Sequence, residues 1–274
     1  SSFIFMRASV DAFGPIALIA VRISVAALFL FLFLMKPSRR QEFIQNWKTL
    51  FIVGLTNSAI PFSFLAYSSL TLTGGTVSIL NAMTPVFTAW IAHIWLKIHM
   101  TKLQYLGMLI SLLGLIYLVS DKVELSIQSW LPVLAGVGAT ICYGISSNTT
   151  KKYLSNVSVM TSTAGSLFFS ALLLLILSLF FLPDFNQISS TDWLYAIILG
   201  VLCTAIAFII YFKLVKNIGP SKTASVTFLI PIFAFLWGYL LLDEVVTTKM
   251  WIATGIILLG MALVMEFIHK KHDD

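Results

Sequence analysis

The stretch WKTLFIVGLTNSAIPF, residues 47–62, returns 146 positions later as WLYAIILGVLCTAIAF, residues 193–208. Trp47 falls on Trp193, Ile52 on Ile198, Gly54 on Gly200, Ala59 on Ala205, Ile60 on Ile206 and Phe62 on Phe208. The same offset carries Pro85 onto Pro231, Phe87 onto Phe233, Leu96 onto Leu242 and Thr101 onto Thr247. It also carries Ile110, Leu112, Leu113 and Gly114 onto Ile256, Leu258, Leu259 and Gly260. Leu and Ile coincidences are cheap in an apolar chain. The tryptophan, the two glycines and the Pro-X-Phe pairs are not. At an offset of 144, Arg7 falls on Lys151, Arg22 on Ser166 and Met35 on Leu179.

The repeat is written in apolar residues. Of the 274 residues, 59% are hydrophobic and 10% charged, and the mean hydropathy is +0.97. A soluble domain typically carries about 25% charged residues. So little charge cannot cover a globule in water, which excludes an ordinary cytosolic enzyme, a disordered chain and a disulfide-rich secreted module. The apolar runs are continuous, as in Ile16–Met35 and Ala171–Leu182. A β-barrel would instead alternate apolar and polar residues in segments of about ten. The fold class is therefore all-α and polytopic in the membrane.

A helix crosses the hydrocarbon core in about 20 residues. Nine such runs are legible, at roughly 13–35, 47–69, 74–96, 102–120, 129–150, 159–182, 193–215, 221–242 and 249–268. Ser1–Ala8 is too short to cross and reads as the tail of a first helix whose start lies before this numbering. The expectation is ten transmembrane helices. The loops are short, the longest being residues 36–46.

Charge sets the orientation. Thirteen of the 17 Lys and Arg residues fall in alternate loops: Lys36, Arg39, Arg40, Lys48, Lys97, Lys102, Lys151, Lys152, Lys213, Lys216, Lys222, Lys270 and Lys271. The opposite loops hold Arg7, Lys122 and Lys249, together with Asp11, Asp121, Glu124, Asp184, Asp192, Asp243 and Glu244. Basic loops stay in the cytoplasm. Both termini are expected there, in a multi-pass cell-membrane protein, with the bacterial inner membrane as its place. The net charge of +6 sits at span ends and sets orientation, so no nucleic-acid partner is expected.

Five helices per repeat is an odd number, so the second copy enters the membrane from the opposite side. The division expected is one five-helix unit over 1–120 and a second over 121–274. Inverted repeats are the architecture of many secondary transporters. Two like halves of opposite orientation have two near-equivalent arrangements, one open to each side.

The motifs carry a resemblance. Ser1-Ser2-Phe3 resembles the end of a W-G-S-S-F motif, and Ala20-Val21-Arg22 an A-x-R motif. Thr84-Pro85-Val86-Phe87 and Ile230-Pro231-Ile232-Phe233 resemble a P-V-F turn, and Leu242-Asp243-Glu244 resembles an L-G-E motif. Leu96-Lys97-Ile98 departs from the last of these. By these motifs the chain resembles the EamA type of the drug/metabolite transporter superfamily, over essentially its whole length. The resemblance implies a transporter of amino acids, other metabolites, nucleotide precursors or drugs.

Candidate substrate-binding residues follow from the cost of polarity in lipid. Arg22 lies near mid-membrane, where a cation costs about 2.5–3.5 kcal/mol on insertion scales. It either clamps a carboxylate or phosphate bidentately or satisfies backbone carbonyls at a helix break. Asn57 and Asn81 belong to polar faces of the third and fourth spans and are expected to line a cavity or to join helices. Tyr143, Asn148, Thr204, Tyr211 and Thr227 are candidates from the second half, and Trp90 from the deep part of the fourth span. Trp95, Trp130, Trp193 and Trp251 read as interfacial belt residues. Pro61, Pro85 and Pro231 free carbonyls and bend helices, and substrate sites gather at such breaks. Gly74-Gly75 reads as a hinge or cap.

No catalytic triad, P-loop or metal-ligand spacing is present, and neither cofactor nor metal is expected. Cys142 and Cys203 read as small buried hydrophobes. The partners expected are a small-molecule substrate and the bilayer, for a monomer or weak homodimer. Two other functions stay open at this point: an intramembrane enzyme acting on a lipid-linked substrate, with Glu266, His269 and His272 as its candidates, and a non-transporting scaffold. Glu266 is shallow and His93 interfacial, so exchange or facilitated diffusion without an obligatory proton is expected.

Overall fold

The computed structural model describes residues 2–120, 127–210 and 228–265. Every regular element among them is helical. Helix α1 (Ser2–Phe13) ends at Gly14, whose positive φ of 73° lets the chain turn directly into α2 (Pro15–Leu34). The expected loop at 36–46 is instead a short surface helix, α3 (Pro37–Gln45), with no buried residue. Pro37 starts it, because proline's fixed φ suits a first helical turn, and its polarity keeps it out of the core.

The third span consists of α4 (Trp47–Gly54), a π-helical segment Leu55–Ala59 and α5 (Ile60–Ser68). The fourth is broken at Met83 into α6 (Gly74–Ala82) and α7 (Thr84–Leu96). Then come α8 (Lys102–Val119), α9 (Ile127–Tyr153) and α10 (Val159–Ser178). Helix α11 (Ser190–Gly200) runs into a second π-helical segment, Val201–Ile206. The last described helices are α12 (Leu229–Leu242) and α13 (Thr248–Val264). Seven of these segments are long and apolar enough to cross a membrane, and α12 and α13 are shorter apolar helices. Their positions match the runs read from hydropathy.

Features 146 residues apart recur in three dimensions. The π segments start at Leu55 and Val201. Lys97 and Asp243 take left-handed φ values of 54° and 51° at the ends of α7 and α12. Each is followed by a backbone bond that reaches back over the end of the helix, Ile98 N–H to Ala92 O at 3.4 Å and Glu244 N–H to Gly238 O at 3.1 Å. Thr101 and Thr247 then cap the next helices through their hydroxyls.

Packing follows the same pairing. Helix α2 lies against α10, and α8 against α13. In lipid there is no hydrophobic drive between helices, so small residues and close backbones hold them. Gly54 abuts Ser166 O on α10, and Gly200 abuts Arg22 O on α2. These are one contact made twice, since Gly54 matches Gly200 and Arg22 matches Ser166. Gly107 and Gly260 meet carbonyl to α-carbon at the α8–α13 crossing. Beside them the Ser111 hydroxyl donates to Ile257 O at 3.4 Å.

Candidate substrate cavity

Two chambers of about 530 and 320 Å³ share Phe62, Asn81 and Tyr143 and so form one site in the centre of the helices. The larger lies among the third and fourth spans, α9 and α10, and reaches Thr150 and Val159 beside the α9–α10 connection. The smaller is closed by α1, α2 and the start of α12.

The breaks make the room. The π turn at Leu55–Ala59 widens the third span, and Asn57 stands in it, on the cavity. Such single-turn π bulges recur at functional sites. Pro61 opens α5 just after this turn, and Pro85 opens α7 just after the break at Met83. Pro85 and Thr84 line the larger chamber. Pro231 lies in the first turn of α12, where a missing N–H costs nothing. Asn81, in the last turn of α6, faces both chambers.

Arg22 is buried, at 6% exposure, and lines the smaller chamber. Its Nε donates to Thr204 Oγ1 at 3.0 Å, and its guanidinium carbon lies 4.1 Å from the centre of the Phe62 ring. Thr204 stands in the second π segment and donates onward to Leu199 O at 2.9 Å. Its counterpart, Ser58, is buried with its hydroxyl unpartnered. The Tyr143 ring meets Phe62 edge-on at 6.3 Å. Among the described residues the Asn57 and Asn81 amides and the Tyr143 hydroxyl have no hydrogen-bond partner, so their polar atoms are open to a ligand.

Of the residues singled out from sequence, Arg22, Asn57, Asn81 and Tyr143 therefore share one cavity. Thr204 stands behind Arg22 and positions it. Asn148 is committed elsewhere: its amide donates to Thr88 O at 3.0 Å and Gly144 O at 2.9 Å, joining α9 to α7. Trp90 is 41% exposed, contacts Phe87 edge-on and is not among the lining residues. Tyr211, Thr227 and Glu266 lie outside the described residues. His93 is bonded at the end of α7, to Ile98 O at 2.9 Å and the Tyr105 hydroxyl at 3.0 Å. Sequence reading missed Phe62 and the Ser162–Thr163 wall of α10. The signal was there in Ser158, Thr161, Ser162, Thr163 and Ser166, a run of hydroxyls opening an otherwise apolar span.

Two carboxylates fix helix starts around the site. Glu42 Oε2 accepts from the Thr161 hydroxyl at 2.6 Å and Ser158 N–H at 3.2 Å, at the first turn of α10. The Thr161 hydrogen bond, helped by those from Ser158, holds the Glu42 carboxyl below its ordinary pKa. Glu244 Oε1 accepts from Gly74 N–H at 3.0 Å, at the start of α6. Gly74 and Gly75 thus act in a cap, and Gly75 also lets Phe235 and Met250 approach.

The chain is 24% identical to the uncharacterized transporter YoaV of Bacillus subtilis (strain 168), over 95% of its length and 90% of that protein. It is 28% identical to an uncharacterized transporter of Buchnera aphidicola subsp. Schizaphis graminum, over 98% and 90% of the two chains. It is 24% identical to the uncharacterized inner membrane transporter YedA of Escherichia coli (strain K12), over 96% and 86%. A solved crystal structure of 14% identity superposes with a TM-score of 0.69 over 98% of this chain and 96% of that one, which speaks to the fold alone. The model of the EamA-like transporter family matches residues 1–120 and again 130–266. The chain is a multi-pass membrane protein of the EamA-like transporter family.

Proposed function

We propose that this protein is a secondary transporter, not an enzyme, that carries a small polar metabolite, an amino acid or a related compound, through the central cavity. The cavity is exposed to one side of the membrane and then the other. The two arrangements arise by exchange between two inverted five-helix units, 1–120 and 121–274. The observation that carries this reading is the set of uncommitted polar groups of Asn57, Asn81 and Tyr143 beside Arg22. Polar groups inside a membrane protein are costly unless paired or in contact with water or cargo. Paired π segments and paired glycine crossings support it, because each gives the two halves the same pivot.

The basic loops, including the α9–α10 connection, are cytoplasmic, and so are both termini. The larger chamber reaches Thr150 and Val159 beside that connection, so this arrangement is the one open toward the cytoplasm. The unit works as a monomer or weak homodimer in the bilayer. Its transport is exchange or facilitated diffusion, with no obligatory proton.

The test is uptake of a radiolabelled amino-acid and metabolite panel into proteoliposomes, with and without a pH gradient at zero membrane potential. At least one solute enters, and Asn81→Ala slows entry more than it lowers folded yield. A protein that moves none of them, or accumulation that requires the pH gradient, contradicts the respective part of the reading.

A further inference from the structure

Among the described residues Arg22 is the one charged side chain that lines either chamber. Among the described residues the one salt bridge joins Arg7 to Asp11, so no carboxylate neutralises it. A guanidinium carries five N–H donors, and only Nε has a hydrogen bond here. The terminal nitrogens are left uncommitted while Thr204 fixes the plane and Phe62 backs one face. A buried, unpaired charge is strongly destabilising, and a held, half-used fork is the geometry that receives a carboxylate bidentately.

A purely structural Arg22 would spend these donors on carbonyls at the helix break, as Asn148 spends its amide on Gly144 O and Thr88 O. It does not. The chamber around it also contains Asn81 and Tyr143, neutral groups that can serve the rest of a ligand. Among the described residues no acidic side chain lines either chamber, so none of them is built to pair with an ammonium group.

We propose that the cargo is a small organic carboxylate seated on the terminal nitrogens of Arg22, and that an amino group on it is dispensable. This rests on the transport reading and narrows its substrate class.

Matched compounds on purified protein separate the two. The probes are lactate, alanine and alaninamide, then 3-phenyllactate, phenylalanine and phenylalaninamide, each followed by thermal shift against concentration. In at least one set the hydroxy acid raises the melting temperature, at least as strongly as the amino acid, and the amide does not. Arg22→Gln weakens the apparent affinity for that acid about tenfold or more, as loss of a charged hydrogen-bonding partner should, and Arg22→Lys less. The wild-type comparison of acid with amide stands even where the Arg22 variants fold poorly. A shift from the amide equal to that from the acid, an acid shift that survives Arg22→Gln, or no shift from any acid overturns the proposal. Proteoliposome uptake of an amide that depends on Asn81 would do so while leaving the transport reading standing. Absence of both binding and uptake of any solute would remove the transport reading itself.

Discussion

Arg22 and Thr204, 182 positions apart, meet at 3.0 Å, and Thr204 passes the contact on to Leu199 O. The threonine sits in the π turn that follows α11, so that irregularity reaches the one charged side chain among the described residues of the cavity. Thr204→Val removes the acceptor and leaves Nε unpaired. A hydrogen bond to a charged group contributes about 1.5–3 kcal/mol, and a loss of that order is expected in thermal unfolding. Thr204→Ser keeps the oxygen and should unfold close to the wild type. Equal behaviour of the two variants would show that the hydroxyl does not hold Arg22.

The glycine crossings give a paired prediction. A methyl at Gly54 runs into Ser166 O, and one at Gly200 into Val25 and Arg22 O. Overpacking of this kind costs about 1–3 kcal/mol. Gly54→Ala and Gly200→Ala should each lower the melting temperature in detergent. Gly255→Ala meets nothing within 4 Å, and gains about 0.5–1 kcal/mol from the helix preference of alanine. If Gly255→Ala proves as damaging as the other two, the close contacts at Gly54 and Gly200 are not what sets their loss.

Much of this was legible beforehand, for a physical reason. Hydrocarbon demands about 20 apolar residues per crossing, so the spans appear directly in composition. Arg22, Asn57, Asn81 and Tyr143 stood out because polarity in lipid is expensive. The π turns did not, since an added residue in a turn leaves no compositional trace. Asn148 looked like Asn57 and Asn81, but Gly144 lets α9 lie against Phe87 of α7, and the amide is drawn to a carbonyl there. Phe62 was invisible as a partner of Arg22 because the fold alone brings 22 and 62 together.

Glu42 gives the acid response. Its carboxyl is held below the ordinary carboxylate range by its hydrogen bonds from Thr161 and Ser158. A carboxyl whose folded pKa is depressed stabilises the protein fully above its unfolded pKa, and loses that contribution as pH falls through the folded value. Wild-type melting temperature should therefore fall more steeply than that of Glu42→Gln on acidification through and below the ordinary carboxylate range. Parallel curves would mean that the bonds to α10 do not distinguish carboxylate from carboxyl.

Orientation is checked by cysteine labelling in a background with Cys142 and Cys203 replaced by alanine. Asn186 and Ser155 are both exposed, beyond opposite ends of α10. An impermeant maleimide added to intact cells should label Asn186→Cys and not Ser155→Cys. The reverse pattern would invert the topology and the charge argument beneath it.

The central claim is that one cavity is presented to both sides in turn. Asn81 faces both chambers and has no hydrogen-bond partner among the described residues, which makes it the reporter. In the same cysteine-free background, Asn81→Cys in oriented proteoliposomes is exposed to an impermeant thiol reagent from outside only, then from inside only. The account predicts modification from either side, at unequal rates, in vesicles that stay sealed to the reagent. Modification from one side alone, or from neither, would contradict it.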